Sequence, residues 1–242
     1  MQADPAFWNR HAPVLFPNVG KYYGGHFTYN GTDYPMGQHG FARDTEFEQA
    51  ASGENFVTYR LCADEESKKV YPFDFVLEIT HRLNGNRLTV EWNVKNTDNK
   101  EMYFTIGGHP AFNVNVLPDT DFEDYSLVFK EGTEKLSYVL LDAESGTAIG
   151  DKVYELELTD SKYALKKDMF DKDALVFDGG QIEWAALVLP DGKPYIALES
   201  KGFPNLDLSN REHHMSVWNH GADAAIIKDL KVRFPKNREL LH

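Results

Sequence analysis

Hydrophobic and polar residues alternate along the segment that follows Tyr71. The hydrophobic positions on one face are Phe73, Phe75, Leu77 and Ile79. The Asn-Gly dipeptide within residues 83–87 is typical of a tight turn, because both residue types tolerate a positive φ angle. The alternation resumes after it with Leu88, Val90, Trp92 and Val94. A period of two on both sides of such a turn predicts a β-hairpin with one buried face.

Shorter apolar runs along the chain predict further strands. They span residues 102–106, 125–130, 153–158, 186–189 and 195–200. Many short strands with turns between them, and few helical periods, favour an all-β fold built as a large antiparallel sandwich. No linker, repeat or low-complexity segment divides the sequence, so we expect a single domain over residues 1–242. From residue 207 onward the alternation is lost, and no strand is predicted there.

Composition narrows the classes of function. The 242 residues carry 38 acidic and 25 basic side chains, a net charge of -13, which argues against a nucleic-acid partner. Cys62 is the only cysteine, so an internal disulfide is excluded and a thiolate metal site is disfavoured. No secretory signal and no apolar run of membrane-spanning length is found. We therefore expect a cytoplasmic protein that does not bind membranes.

Aromatic residues, glycine and proline are concentrated in residues 4–33. This composition predicts loops and short strands around a cleft, where aromatic faces could stack on a sugar ring. The alternative is ordinary core packing of the same rings.

Two short segments contain the residues best suited to chemistry. Residues 38–44 read QHGFARD and residues 107–113 read GGHPAFN. Imidazole exchanges a proton near neutral pH, and arginine offers a planar set of donors to an oxygen-rich ligand. His39, Arg43 and His109 therefore suggest proton transfer on a polyhydroxylated substrate, although either histidine could instead bond a neighbouring backbone group. His109 ends an apolar strand and precedes Pro110, which predicts an exposed position at the rim of the sheet.

Other chemistries lack support in the sequence. His213 and His214 are adjacent and would face opposite sides of a strand, so no metal site is predicted. Phosphate-binding loops, dinucleotide fingerprints and the Gly-x-Ser-x-Gly elbow are all missing from the sequence. Asp173 precedes the apolar run 174–177. It is either a functional carboxylate or a solvated loop residue.

The order of several motifs resembles the aldose 1-epimerase (galactose mutarotase) family, in particular its LacX-like branch. The matching segments are residues 4–8 (DPAFW), 12–20 (APVLFPNVG), 38–44, 71–75 (YPFDF), 107–113 and 173–175, and the likeness continues to about residue 205. The resemblance implies a galactose mutarotase-like β-supersandwich. It also implies interconversion of the α and β anomers of an aldohexose, through a histidine acid and a glutamate base, without a cofactor.

The same resemblance implies roles for individual residues. His109 corresponds to the general acid, and His39 to the second histidine that contacts the sugar. Arg43 and Asp173 correspond to residues that hydrogen-bond the sugar hydroxyls. Lys21 stands where the branch often has arginine.

The tail, residues 206–242, departs from the family pattern. The family base lies in a segment similar to CLEPW, and no such segment occurs in this chain. Glu199 and Glu212 are the nearest acidic residues, but neither lies in a matching segment. The N-terminus begins only three residues before the DPAFW segment, so the resemblance implies a sandwich incomplete at both ends, with exposed edges that favour self-association.

A shifted reading frame accounts for the departure. Residues 213–221 can be encoded by codons whose offset frame reads PYVCLEPW, and residues 234–242 by codons whose offset frame reads SEKPGIIA. We hypothesise that a frameshift near residues 205–211 replaced the tail. Sequencing the gene tests this, because codons that cannot yield the glutamate strand in the offset frame would rule it out.

Three functions remain open at this stage. The first is a mutarotase-type isomerase that lacks the family base. The second is a non-catalytic carbohydrate-binding relative that keeps His39, Arg43 and Asp173 for hydrogen bonding. The third is a hexose-6-phosphate mutarotase, which would need a basic pocket for the phosphate.

Overall fold

The structure is a computed structural model that describes residues 10–200, 202–210, 214–221 and 230–233, with side chains described up to residue 209. Its strands, in chain order, are β1 (Val14–Leu15), β2 (His26–Tyr29), β3 (Thr32–Pro35), β4 (Glu48–Gly53), β5 (Phe56–Cys62), β6 (Phe75–Asn84), β7 (Arg87–Asn96), β8 (Ile106–Gly108), β9 (Ala111–Asn113), β10 (Ser126–Val128), β11 (Lys135–Tyr138), β12 (Tyr154–Glu157), β13 (Lys162–Ala164), β14 (Leu175–Phe177), β15 (Trp184–Val188), β16 (Pro194–Glu199), β17 (Asn205–Asn210), β18 (His214–Gly221) and β19 (Leu230–Arg233). Helical structure in these residues consists of α1 (Ser67–Val70) and short 3-10 turns at Tyr23–Gly25, Ala42–Asp44, Phe122–Asp124 and Lys167–Phe170. No helix in this part of the chain is long and apolar enough to cross a membrane.

The larger sheet has nine strands in the order β13-β10-β15-β16-β19-β7-β6-β5-β4. It contains the predicted hairpin, in which β6 pairs with β7 from Phe75↔Asn96 to Asn84↔Arg87. The two-residue turn is Gly85-Asn86, in which Gly85 adopts a φ of 60°, and Asn84 of the Asn-Gly dipeptide is the last residue of β6. The hairpin prediction is confirmed, with the first strand beginning at Phe75.

The second sheet contains six strands in the order β1-β8-β18-β17-β14, with β9 also paired to β18. The sequence analysis was wrong about the start of the tail, because β17 and β18 are both strands of this sheet. Their partners β14, β8 and β9 lie far away in sequence, so the backbone bonds that stabilise them are invisible to a local pattern.

The predicted strand 102–106 is also wrong in its position. The strand comprises Ile106–Gly108, so only its first residue lies in the predicted range. Before it, the N–H of Thr105 donates to the Pro17 carbonyl at 2.9 Å. The hydroxyl of Thr105 accepts from the N–H of Val19 at 2.7 Å, so this stretch is held by the Pro17–Val19 loop.

The hydrophobic core is one cluster that contains residues from both sheets. Phe75 and Leu77 come from the nine-stranded sheet, whereas Ile106, Phe177 and Leu208 come from the six-stranded sheet. Burial of facing sides of two sheets is the arrangement of a β-sandwich. The predicted all-β sandwich is therefore confirmed.

Most described aromatic rings of the N-terminal region take part in this packing. Phe16 lies in the core with its ring centroid 5.1 Å from that of Phe75. Phe27 stacks on Tyr34 at 5.4 Å and packs against the core cluster. Core packing is thus the role of these rings, whereas Tyr23 differs because it is 83% exposed.

Candidate functional site

His39 is held by a pair of hydrogen bonds to a single residue. Its backbone N–H donates to the Gly20 carbonyl at 2.8 Å, and the Gly20 N–H donates to Nδ1 of the imidazole at 3.1 Å. Because Nδ1 accepts a hydrogen bond, the proton of the neutral ring lies on Nε2. The side chain is 3% exposed, so the loop fixes both the position and the tautomer of this imidazole.

The next residue explains why glycine follows this histidine. Gly40 has a φ of 70°, and a Cβ atom at this position would lie 2.1 Å from the Phe16 carbonyl oxygen. That oxygen accepts a hydrogen bond from Ala42 N–H at 3.1 Å, so the loop cannot move away without losing it. Only glycine allows this close approach.

His109 lies where β8 ends, and its ring meets that of His39 edge to face. The ring centroids are 5.9 Å apart with an interplanar angle of 88°. The backbone N–H of His109 donates to the Pro13 carbonyl at 3.2 Å. The sequence analysis predicted an exposed rim position, which is wrong, because His109 is 6% exposed. β8 is an interior strand with β1 on one side and β18 on the other, which explains the burial.

Arg43 lies beside an ion pair between Arg10 and Asp44 that was not predicted from the sequence. Its Nε atom lies 3.6 Å from Oδ2 of Asp44, and Nη1 of Arg10 lies 2.5 Å from Oδ1 of the same carboxylate. Burial lowers the pKa of the Arg43 guanidinium, the nearby Arg10 lowers it further, and Asp44 opposes both effects. The RD pair in residues 38–44 is the sequence feature that could have revealed Asp44.

Asp173 lies at the edge strand of the six-stranded sheet. It precedes β14, has a φ of 71°, and its Oδ1 accepts the N–H of Ala174 at 2.7 Å. β14 is three strands away from β8, which corresponds to about 14 Å across the sheet. The fold therefore brings His39 and His109 together and places the exposed Asp173 farther along the same sheet.

The strand beside His109 belongs to the tail. Asn219 pairs with Gly108, and Ser216 pairs with Ala111. The two residues between them on β18, Val217 and Trp218, therefore lie across from Pro110 and His109. The glutamate of the hypothesised offset frame overlaps the codons of Trp218 and Asn219. It would stand at the register position opposite His109.

A buried carboxylate lies at the next register position across the sheet, and it was not predicted from the sequence. Asp207 on β17 is 4% exposed and pairs with Trp218 on one side and Val176 on the other. One strand separates it from β8, so its Cα lies about 10 Å from that of His109. The alternation of Leu206 and Leu208, both buried, is the signal that could have identified this strand.

Glu199, one of the two acidic residues considered from the sequence, does not lie at these register positions. Glu199 lies on β16 in the other sheet, with Oε1 3.5 Å from Nη2 of Arg87. Glu212 lies outside the described residues, as does His213. Within residues 10–200, 202–209 no group of three or more histidine, cysteine or carboxylate side chains is arranged to hold a metal ion.

A family model and several known proteins match this chain. A model of the aldose 1-epimerase family matches residues 2–203, and so ends before β17 and β18. The chromosomal protein LacX of Lactococcus lactis subsp. lactis is 32% identical over 214 residues, which cover 86% of this chain and 71% of that protein. A galactose mutarotase related enzyme from Lactobacillus acidophilus superimposes with a TM-score of 0.87 at 26% identity, covering 97% of this chain and 86% of the other. A galactose mutarotase-like protein from Lactobacillus casei superimposes with a TM-score of 0.81 at 28% identity, and the match covers 95% of this chain and 86% of that protein.

Proposed function

Since this chain belongs to the aldose 1-epimerase family and is LacX-like, we propose that it interconverts the α and β anomers of an aldohexose by acid-catalysed ring opening. The observation that carries the proposal is the pair of buried imidazoles of His39 and His109, 5.9 Å apart at their ring centroids. Buried histidines that face each other beside a strand end form a site where a proton can be delivered to one atom of a bound sugar.

The chemistry assigned to His109 is protonation of the ring oxygen. As that oxygen gains a proton, the bond from C1 to the ring oxygen breaks, the C1 hydroxyl loses its proton, and an open-chain aldehyde forms. Rotation about C1–C2 and the reverse steps close the ring as the other anomer, with no net change in protons. A well-placed acid of this kind contributes about 10²–10⁴ to the rate.

His39 is assigned a binding role because of its bonding. The Gly20 N–H already occupies Nδ1, so the neutral ring presents Nε2–H, a donor, and no second acceptor. A fixed donor suits a sugar hydroxyl or the ring oxygen. The acid role of His109 is the one that the family resemblance implies, and this tautomer makes His39 a hydrogen-bond donor beside it.

Arg43 and Asp173 are assigned hydrogen bonds to the sugar hydroxyls. The Nε of Arg43 faces Asp44, so its terminal nitrogens are the donors left for a ligand. Asp173 is exposed, and its Oδ1 accepts the N–H of Ala174.

The composition of β18 favours a second candidate function, sugar binding without catalysis. Residues 214–221 contain no aspartate or glutamate, so the strand opposite His109 supplies no carboxylate base. A protein with the acid and the binding groups but no base could bind sugar without accelerating the reaction. Under the leading proposal, water accepts the C1 hydroxyl proton, and the rate enhancement is that of the acid alone.

Polarimetry separates the two candidates. Freshly dissolved galactose or glucose changes its optical rotation as the anomers equilibrate, and the wild-type protein should raise this rate above that of buffer. His109→Ala should return the rate to the buffer value, whereas His26→Ala, which removes an exposed histidine on β2, should leave it unchanged. A wild-type rate equal to that of buffer, together with measurable sugar binding, would establish the binding candidate.

A further inference from the structure

Asn18 lies in a segment that contacts both histidines of the site. At the start of this segment, the carbonyl of Pro13 accepts the backbone N–H of His109 at 3.2 Å. At its end, Gly20 exchanges two hydrogen bonds with His39. Between these points, β1 pairs with β8, the strand that His109 follows. The position of one imidazole relative to the other therefore depends on the conformation of this segment.

The end of the segment owes its shape to hydrogen bonds. Gly20 has a φ of 73°, and, apart from its two chain neighbours, no atom lies within 4 Å of the place that a Cβ would take. A glycine without packing neighbours has more backbone freedom than any other residue. The orientation of Gly20 towards the imidazole therefore depends on the groups that are bonded to it.

The side chain of Asn18 supplies one of these bonds. Its Nδ2 donates to the Gly20 carbonyl at 3.0 Å, and the N–H of His39 donates to the same oxygen at 2.8 Å. Asn18 is 2% exposed, so water has no ready access to replace this donor. With its carbonyl held by two donors, Gly20 directs its own N–H at Nδ1 of His39, 3.1 Å away.

The residues just before Gly20 are fixed without the Asn18 side chain. Thr105 donates its N–H to the Pro17 carbonyl at 2.9 Å, and its hydroxyl accepts the N–H of Val19 at 2.7 Å. Loss of the Asn18 amide should therefore act at Gly20 and spare the rest of the segment.

Core packing does not account for an amide at this position. Oδ1 of Asn18 is buried and has no hydrogen-bond partner among the residues that the structure describes. A buried amide oxygen without a partner carries a desolvation cost, which an apolar side chain of similar size, such as leucine, would avoid. The feature that distinguishes asparagine from leucine here is the donor on Nδ2.

We propose that Asn18 is a positioning residue of the site: its amide holds Gly20 so that the Gly20 N–H stays on Nδ1 of His39. The proton of the neutral imidazole then stays on Nε2, the donor assigned to the sugar. The binding role of His39 in this inference rests on the proposed function, whereas the control of the tautomer does not. Loss of the amide should weaken sugar binding and spare the acid step at His109.

NMR of the imidazole nitrogens tests the control of the tautomer without any sugar. Long-range proton–nitrogen correlation spectra distinguish protonated from unprotonated ring nitrogens, and His39→Gln identifies the signals of His39. Wild type should carry the His39 proton on Nε2, and Asn18→Leu should show both tautomers. Asn96→Leu is the matched control, because Nδ2 of Asn96 donates to the Lys100 carbonyl at 2.8 Å at the end of β7, on the other sheet. It should keep the wild-type pattern.

Polarimetry with galactose or glucose tests the consequence for binding. Asn18→Leu should raise KM by about fivefold, in keeping with the loss of one hydrogen-bond donor. Its kcat should stay within about twofold of wild type, since a rise in KM alone is the signature of lost substrate binding. The Asn96→Leu control should change neither constant.

Asn18→Asp keeps the shape of the side chain and serves where leucine impairs folding. A protonated carboxyl donates to the Gly20 carbonyl as the amide does, whereas a carboxylate does not. Because burial favours the protonated form, the ratio of the KM of this variant to that of wild type should fall towards one as the pH is lowered from about 8 to about 5.

The outcomes separate this inference from the proposed function. A single wild-type tautomer in folded Asn18→Leu, a loss of kcat with an unchanged KM, or a KM that stays raised in Asn18→Asp at low pH would overturn the positioning role and leave the proposed function intact. A wild-type rate equal to that of buffer would instead overturn the proposed function, and the NMR spectra would still decide whether Asn18 holds His39.

Discussion

At the scale of single residues, the site depends on backbone conformations that few side chains can adopt. His39 and Gly40 both have positive φ angles, of 66° and 70°. The first turns the imidazole towards Gly20, and the second brings the chain against Phe16. The sequence predicted both histidines and Arg43 as candidates, because their side-chain chemistry is visible locally. It could not predict the bond from Gly20 or the Arg10–Asp44–Arg43 network, because these contacts depend on distant segments meeting in the fold.

Gly40→Ala should destabilise the protein strongly, because the new Cβ atom would overlap the Phe16 carbonyl in addition to straining φ. We expect a loss of about 2–4 kcal/mol in the free energy of unfolding, measured by urea denaturation. Gly85→Ala is the matched control, since Gly85 has a φ of 60° but no atom within 4 Å of the added Cβ. That control should lose only about 1 kcal/mol, the cost of an alanine at positive φ. Equal losses in the two variants would contradict the close approach at Phe16.

Asp44→Ala should weaken sugar binding, because Arg43 loses the carboxylate that orients its guanidinium. The side chain of Asp44 is 56% exposed, so the effect should be modest, about a twofold to fivefold rise in Kd. Glu66→Ala, which removes the 78% exposed partner of Lys69, is the control and should leave Kd unchanged. An unaltered Kd in Asp44→Ala would show that Arg43 does not rely on this ion pair.

At the scale of elements, the local pattern predicted strands well where both partners are close in sequence. The β6–β7 hairpin was predicted correctly from alternation and its Asn-Gly turn. The strand at Ile106–Gly108 was misplaced, and β17 and β18 were missed, because their positions are set by pairing with distant strands. The burial of His109 could not be predicted for the same reason, since it follows from β18 and β1 rather than from its neighbours in sequence.

His81 on β6 should make stability depend on pH. Burial lowers the pKa of His81 in the folded protein from the ordinary value near 6.5. The unfolded chain therefore binds more protons than the folded chain in the window below that value, and stability falls as the pH falls. Urea denaturation at pH 7.5 and pH 5 should show a smaller loss of stability in His81→Gln than in wild type. An identical loss in both proteins would exclude His81 as a contributor.

At the scale of the whole molecule, the site joins parts of the chain that lie far apart in sequence. The loop of His39, the end of β8 and the tail strand β18 meet on the six-stranded sheet, which packs on the nine-stranded sheet to form the sandwich. The family model matches residues 2–203, so that match covers both histidines but not the strand opposite His109. The fold class was predictable from strand patterns and resemblance, whereas the juxtaposition of His109 and Trp218 emerged only from strand register.

The most direct test of the proposal that His109 is the acid is to place a carboxylate on the strand across from it. Trp218→Glu places a carboxylate at the register position opposite His109, and polarimetry then compares wild type, Trp218→Glu, His109→Ala and the double variant. We expect Trp218→Glu to raise the rate of anomer exchange by at least about tenfold, part of the range that one acid or base group contributes, and His109→Ala to abolish this gain. Circular dichroism would confirm that each variant is folded. A folded Trp218→Glu protein with the wild-type rate, or a gain that persists without His109, would contradict the assignment of His109 as the acid facing this strand.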